Sequence, residues 1–266
     1  MKGFSMQSRD PALIEFIEFL DGARLVSSVQ EQKRITAEML ALQSGEKVLD
    51  IGCGTGDDLC DMAPLVAPAG RCVGVDLKEG MIEEARTRAR QKRLPVEFLQ
   101  ADIYTLPFAD QTFDVARAER VFEHLQRPVQ ALQEMIRVTR SGGRILVASP
   151  DMDTNLIDHP NRQITRKIQH FECDRRPNGS AGHKLYGLFW DAGLTDLQVR
   201  AVVHTTLDYK EMLSFLDIRE RVEAAQKAGV ITIDEAQIWL EQLAQAGQAG
   251  RYFMSTNHYV VYGRKP

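Results

Sequence analysis

Apolar and polar positions change period several times along the chain. Residues 12–20 and 23–42 place apolar side chains at mixed three- and four-residue steps, which predicts two helices. Lys47–Ile51 predicts a buried strand, and Asp57–Leu65 a helix stopped near Pro64 and Pro68. The alternation continues with strand Arg71–Val75, helix Gly80–Lys92, strands Val96–Ala101 and Phe113–Ala118, and helix Arg127–Thr139. Ser141-Gly142-Gly143 is expected to break that helix, ahead of a strand at Arg144–Ser149. Residues 153–184 lack a regular period and predict a loop with one short helix. A helix at Lys184–Ala192, a strand at Leu197–Leu207, helices at 209–228 and 233–247 and a last strand at Tyr252–Tyr262 complete the series. Thr232 and Glu235 have capping-box spacing and set the start of the 233–247 helix.

Strands separated by helices predict an α/β fold: a doubly wound, mostly parallel, seven-stranded, Rossmann-like sheet with a helical cap. In such sheets the ligand lies beyond the carboxyl ends of the strands. Asp50, Asp76, Asp102 and Ala118 fall at these ends, and Pro150-Asp151 follows the fifth strand. The expected organisation is one domain over 1–266. It comprises N-terminal helices (1–43), a ligand-binding core (44–152), cap or substrate elements (153–192 and 209–250) and a last strand (252–264).

Composition narrows the classes. A chain of 266 residues that is 44% hydrophobic and 26% charged is ordinary for a globular protein. No run approaches the about 18 apolar residues of a membrane span, and MKGFSMQSRDPA lacks the apolar core of a secretory signal. Cys53, Cys60, Cys72 and Cys173 show no CxxC spacing and no disulfide pattern, so a cytoplasmic location is expected. A net charge of −4 supplies no overall attraction to nucleic acid, and none is expected as a partner.

The candidate chemistry centres on VLDIGCGTGDDL, residues 48–59. Glycines between a strand and a helix form a nucleotide-binding turn. Here the position where a dinucleotide fold wants its third glycine or alanine is Asp57, followed by Asp58. Two carboxylates at the positive end of a helix would repel a pyrophosphate. A ligand carrying its own positive charge and no phosphate fits better, and S-adenosylmethionine is such a ligand. Asp50 would act on its amino-acid part, directly or through water. Asp76, 20 residues after Gly56, is placed to accept both ribose hydroxyls. Asp102 is placed to accept from the adenine amine, with Leu77 and Ile103 on either side of the ring.

VLDIGCGTG, GVDLKEGMIEEAR, FLQADIYTLPFADQTFDVARAERVFEHL and EMIRVTRSGGRILVASPD resemble, in order and spacing, the class I S-adenosylmethionine-dependent methyltransferases. They look most like the UbiE-type (methyltransferase type 11) branch, and the resemblance covers roughly residues 44–152. It implies S-adenosylmethionine as methyl donor, with contacts at Asp50, Gly52, Gly54, Asp76, Leu77, Met81, Asp102, Ile103 and Ala118. Arg120 departs from the small or apolar residue expected after the fourth strand, and is read as lining the site or pointing at the substrate.

Plainer readings stand beside these. Asp57 and Asp58 suit helix capping. The run Asp151-Met152-Asp153-Thr154-Asn155 is similar to clustered metal ligands of catechol methyltransferases but is read as a solvated loop; no metal is expected. His124, six residues past the fourth strand, is the candidate catalytic base, with His183 on the cap as its competitor. Residues 161–184 carry six Lys/Arg against two Asp/Glu, a solvated cap or a site for an anionic substrate. No NPPY or DPPY follows the fourth strand and no Pro-Cys pair is present, which argues against the amine- and cytosine-methylating classes built on them. The expected partner is a small-molecule acceptor. RNA or protein methylation, and donor binding without catalysis, are the alternatives.

Overall fold

The computed structural model describes residues 10–210, 213 and 218–266. In chain order the elements are α1 (Pro11–Arg24), α2 (Ser27–Leu40), β1 (Lys47–Ile51), α3 (Asp57–Val66), β2 (Arg71–Asp76), α4 (Glu79–Lys92) and β3 (Val96–Gln100). There follow β4 (Phe113–Glu119), a 3₁₀ turn (Phe122–His124), α5 (Pro128–Val138), β5 (Thr139–Ile157), α6 (Arg162–Asp174), α7 (Ala181–Asp191), β6 (Thr195–Thr206), α8 (Ile218–Lys227), α9 (Ile233–Gln248) and β7 (Met254–Arg264). Part of the helix expected over 209–228 falls on residues 211–212 and 214–217, outside the described residues.

One seven-stranded sheet has the order β3-β2-β1-β4-β5-β7-β6. Strands β1 to β5 pair in parallel, and β7 runs antiparallel to both β5 and β6. The chain winds outward from β1 to β3, then crosses back to β4 on the other side of β1. A crevice opens at such a switch point, outside the carboxyl ends of the strands.

Both faces of the parallel strands are covered, so alternate residues feed two cores. Leu49, Val73, Ala116, Ile145 and Val261 pack with Leu132 and Met135 of α5 and Leu185 and Phe189 of α7. Val48, Cys72, Val115, Leu146 and Val260 pack with Leu40 of α2, Leu59 of α3 and Ile82 and Ala85 of α4. A third cluster joins α6, α8 and α9 through Ile164, Ile168, Val222, Trp239 and Leu243. Thr232 and Glu235 form both halves of the capping box at α9. No helix among the described residues is long and apolar enough to cross a membrane.

Two expectations are corrected here. The fifth strand does not wait for Arg144: α5 ends at Val138, and β5 begins at Thr139 with Ser141-Gly142-Gly143 inside it. The last strand extends the ladder past the glycines, through Gly142 N–H to Lys265 O (2.8 Å) and Lys265 N–H to Gly143 O (3.0 Å). Residues 153–184 are not mainly loop. β5 continues to Ile157, rejoining β7 at Leu156 opposite Ser255 after an irregularity. α6 is a full helix whose start is capped by Asn161, the side chain accepting from Ile164 N–H at 3.1 Å. α7 starts three residues earlier than Lys184, at Ala181.

Candidate functional site

The glycine turn joins β1 to α3. Gly52, Gly54 and Gly56 all have positive φ, at 70°, 53° and 75°. A side chain at Gly52 would start 2.4 Å from Val121 Cγ2, and one at Gly56 would start 2.6 Å from the Phe98 ring. The turn therefore needs glycine for both its backbone and its close packing. Gly52 and Cys53 N–H both donate to Val75 O, at 2.7 and 3.0 Å, tying the turn to β2. Asp76 at the end of β2 braces it further: Oδ2 accepts from Gly54 N–H (3.0 Å) and Oδ1 from Lys78 N–H (2.9 Å). This half-buried carboxylate is fixed in orientation before any ligand arrives. Past β3, Asp102 Oδ1 accepts from Tyr104 N–H at 2.9 Å. Leu77 is 65% exposed whereas Ile103 is 7% exposed. Ala118 and Met81 are buried, Met81 within the start of α4.

Asp50 lies elsewhere than at an open rim. It is 3% exposed and pairs in register with Arg117 of β4. Arg117 is itself 1% exposed. Its Nε stands 3.3 Å from Asp50, and its Nη2 reaches Glu119 at 2.7 Å and Asp58 at 3.1 Å. Lys33 of α2 adds a second cation against Asp58 and Glu119. Burial raises the Asp50 carboxyl to about 6, with Arg117 opposing. The sequence reading passed over Arg117; the signal was an arginine in the middle of a strand otherwise buried on both faces.

Asp57 and Asp58 do not cap α3. Its N-cap is Gly56, which supplies no side-chain bond. Asp57 accepts from Thr55 (3.0 Å), Arg88 (2.5 Å) and Lys92 (3.0 Å), while Asp58 pairs with Arg24, Lys33 and Arg117. Although burial opposes it, these cations hold the Asp58 carboxyl well below the usual range. The two acids stitch α3 to α1, α2, α4 and β4. Their charge is compensated, so selection against a pyrophosphate does not rest on them.

Helix α1 crosses the crevice. Leu20 comes within 3.7 Å of the Cβ position of Gly54, and Leu13 lies against Gly80. Phe16 and Phe19 stack at 5.9 Å; Lys78 covers the first ring (5.1 Å) and Arg120 the second (5.6 Å). Arg120 has φ +57°, an uncommon value for a residue with a side chain, and its N–H donates to Ala148 O at 2.8 Å. The left-handed turn carries the exposed guanidinium from the end of β4 toward α1.

The two candidate-base histidines are held differently. His124 closes the 3₁₀ turn with its side chain 59% exposed, and its nearest carboxylate oxygen is Glu123 Oε1 at 3.7 Å. Desolvation, then Arg176, Arg120 and Lys78, lower its pKa. Glu123 is buried, its Oε2 accepts from Ser149 Oγ at 2.9 Å, and burial raises its pKa. His183, in the first turn of α7, is placed differently. Its Nδ1 stands 2.5 Å and its backbone N 2.7 Å from Oδ2 of Asp151, which has no exposed surface. Asp151, Asp153 and His183 have ligating atoms within 4.8 Å of one another. The basic cap is also partly neutralised: Arg175 and Arg176 both pair with buried Glu172, and Arg175 with Glu220. His159 stacks on Trp239 at 4.8 Å inside the cap.

A braced carboxylate past β2, a second past β3 and a glycine turn admitting no side chain together form a cradle suited to a nucleoside with an amino-acid tail. The comparisons agree. The methyltransferase domain family matches residues 42–199. An uncharacterized 37.1 kDa protein of transposon Tn4556 in Streptomyces fradiae is 35% identical over 254 residues, covering 95% of this chain and 72% of that one. The ubiquinone/menaquinone biosynthesis C-methyltransferase UbiE of Pseudomonas entomophila is 37% identical over 125 residues, 46% of this chain and 49% of the relative, so this chain spans about half that enzyme's length. The YcgJ protein of Bacillus subtilis shares the fold with a TM-score of 0.62 at 19% identity, over 89% of this chain and 98% of that one. The chain belongs to the methyltransferase domain family and is a class I S-adenosylmethionine-dependent methyltransferase.

Proposed function

We propose that the chain methylates a small organic acceptor held beneath α1 and the α6–α9 cap, within a single domain. Asp76 accepts the donor's ribose hydroxyls through lone pairs not engaged by Gly54 and Lys78. Asp102 accepts the adenine amine, and Leu77 and Ile103 flank the ring. Gly52 and Gly54 give the amino-acid tail access to the backbone. Asp50 acts on that tail from below, through the strand end that it and Arg117 hold; Met81 and Ala118 form the floor. Arg120 faces both donor and acceptor from the end of β4. Bound S-adenosylmethionine supplies an electrophilic methyl group. The protein's part is to place the accepting atom in line with it and to exclude water.

The observation that carries the small-molecule reading is the path of α1. Leu13 and Phe16 lie over the start of α4, Leu20 over the glycine turn and Phe19 against Arg120 at the β4 end, where a polymer would need an open groove. UbiE, a relative over the core, is named for ubiquinone/menaquinone biosynthesis, which supports a small acceptor. The test is to incubate the purified chain with methyl-labelled S-adenosylmethionine and a cell extract divided into metabolite, protein and RNA fractions. Label should enter a metabolite identifiable by mass spectrometry. Label confined to protein or RNA would overturn the small-molecule reading.

A further inference from the structure

We propose that His183, oriented by Asp151, is the general base of the reaction, and that the acceptor is a phenol or enol whose methylated oxygen must lose a proton. This rests on the methyl-transfer reading above.

The arrangement is built into two elements. Along β5, Ser149 and Asp151 point to the same face, two residues apart, as a strand requires. Ser149 holds Glu123 of the 3₁₀ turn. Asp151 holds the first turn of α7. The residues just before that turn are tied to the 3₁₀ turn after β4, through Asn178 N–H to Glu123 O (3.2 Å) and Asn178 Nδ2 to Phe122 O (3.0 Å), and to β5, through Met152 N–H to Gly179 O (2.9 Å). His183 therefore stands beside the crevice at the carboxyl ends of β4 and β5. The approach is close enough to demand glycine at 182, where a Cβ would start 2.7 Å from Asp151 Cβ and 2.9 Å from the Tyr259 ring.

Holding a helix start needs only the backbone bond from His183 N–H to Asp151. The imidazole contact is additional. The Asp151 oxygen that accepts the backbone N–H is the one the ring nitrogen faces, so a proton on Nδ1 completes the contact and the Nε2 lone pair is left to act. The His183 side chain is 49% exposed, which leaves Nε2 a path to acceptor and solvent. Asp151 and Asp153 of β5 each place a carboxylate oxygen within 4.8 Å of the ring, and Tyr259 of β7 lies against the neighbouring Gly182. Cys173 of α6 lies against Asp153 with its thiol pushed up to about 12 by burial and by that contact, so it stays protonated. His124, by contrast, has no carboxylate among the described residues closer than 3.7 Å to orient it. In the step, the acceptor oxygen's electron pair forms the bond to the methyl carbon and the C–S pair returns to sulfur, leaving S-adenosylhomocysteine. The acceptor's proton passes to His183 Nε2 and then to water.

The experiment has a spectroscopic arm and a kinetic arm, both on the full chain. Nitrogen-15 NMR of histidine-labelled protein at neutral pH should show one imidazole in the Nδ1–H form. That signal should vanish in His183→Gln, which keeps the backbone N–H bond to Asp151 and with it the start of α7. An Nε2–H ring in the wild type, or a His183 signal displaced by stoichiometric manganese or zinc, would overturn the assignment. Kinetically, 4-nitrophenol, largely ionised near neutral pH, is compared with 4-methoxyphenol, which is not. His183→Gln should lose roughly 100-fold or more on 4-methoxyphenol, as expected for loss of a base, with little loss on 4-nitrophenol and unchanged donor affinity. Equal effects on both phenols, or transfer to neither by a wild type that binds donor, would overturn it. A wild type that fails to bind S-adenosylmethionine would instead strike the methyl-transfer reading and leave the tautomer result standing.

Discussion

Single residues fix the site by what they hold. Arg117 shows this most plainly, because three carboxylates, Asp50, Asp58 and Glu119, converge on one buried guanidinium. Removing one partner of a buried ion cluster leaves charge uncompensated, at about 3–5 kcal/mol. Arg117→Met should therefore lower unfolding free energy by about that much in urea titration; a loss below about 1 kcal/mol would mean that the acids are relieved by solvent. His204 carries a pH signature. It sits between Ser28 Oγ and Gln32 Oε1, both at 3.0 Å, and desolvation followed by Arg120 lowers its pKa from 6.5 to about 4. The unfolded chain thus binds a proton at higher pH than the folded chain does. Stability contributed by the neutral ring is full above pH 6.5 and is lost as pH falls toward 4. Asp50 acts in the opposite sense over about pH 4 to 6, its folded pKa being raised. Comparing denaturation at pH 7 and pH 5 in wild type and His204→Gln isolates the histidine: the variant should lose less stability on acidification. An identical loss would show that this ring does not titrate with folding.

At the scale of elements, regular periods were legible and contacts between elements were not. The alternation of β1 to α5 identified the sheet and the end at which its acids and glycine turn gather, because a parallel strand and an amphipathic helix each impose a period on their own sequence. β5 was misread at both ends. Its glycines and its polar run Asp151–Asn155 look like loop locally, and only pairing with β7 makes them strand. Asp57 and Asp58 have the local spacing of caps, yet their partners come from α1, α2, α4 and β4. His183 was one histidine among several until α7 was packed on Asp151. Where sequence spacing alone sufficed, as at the Thr232–Glu235 box, the cost of removal is local: Thr232→Ala should cost about 1 kcal/mol, read from denaturant midpoints. No change would mean that tertiary packing alone holds α9. For α1, added S-adenosylmethionine should slow amide exchange in α1 and the glycine turn more than in α9; equal protection in both would argue against a binding crevice beneath α1.

For the whole molecule, the sheet supplies a rigid edge and the helical additions enclose it. Strands β1, β2 and β3 present the acids, β4 and β5 carry Arg120, Glu123 and Asp151 near their ends, and α1 spans the two halves. The cap has its own apolar cluster, so acceptor choice can vary while the donor cradle remains intact. Asp76 is the point on which this arrangement can be tested most directly, since one carboxylate braces Gly54 and, in the proposed function, accepts the ribose. Charged hydrogen bonds contribute about 1.5–3 kcal/mol net, so calorimetric titration of S-adenosylmethionine should give one site per chain, weakened at least about 10-fold in Asp76→Ala, while circular dichroism shows that the variant stays folded. Unchanged affinity in the folded variant, or no binding by the wild type, would contradict a donor site at the carboxyl ends of these strands.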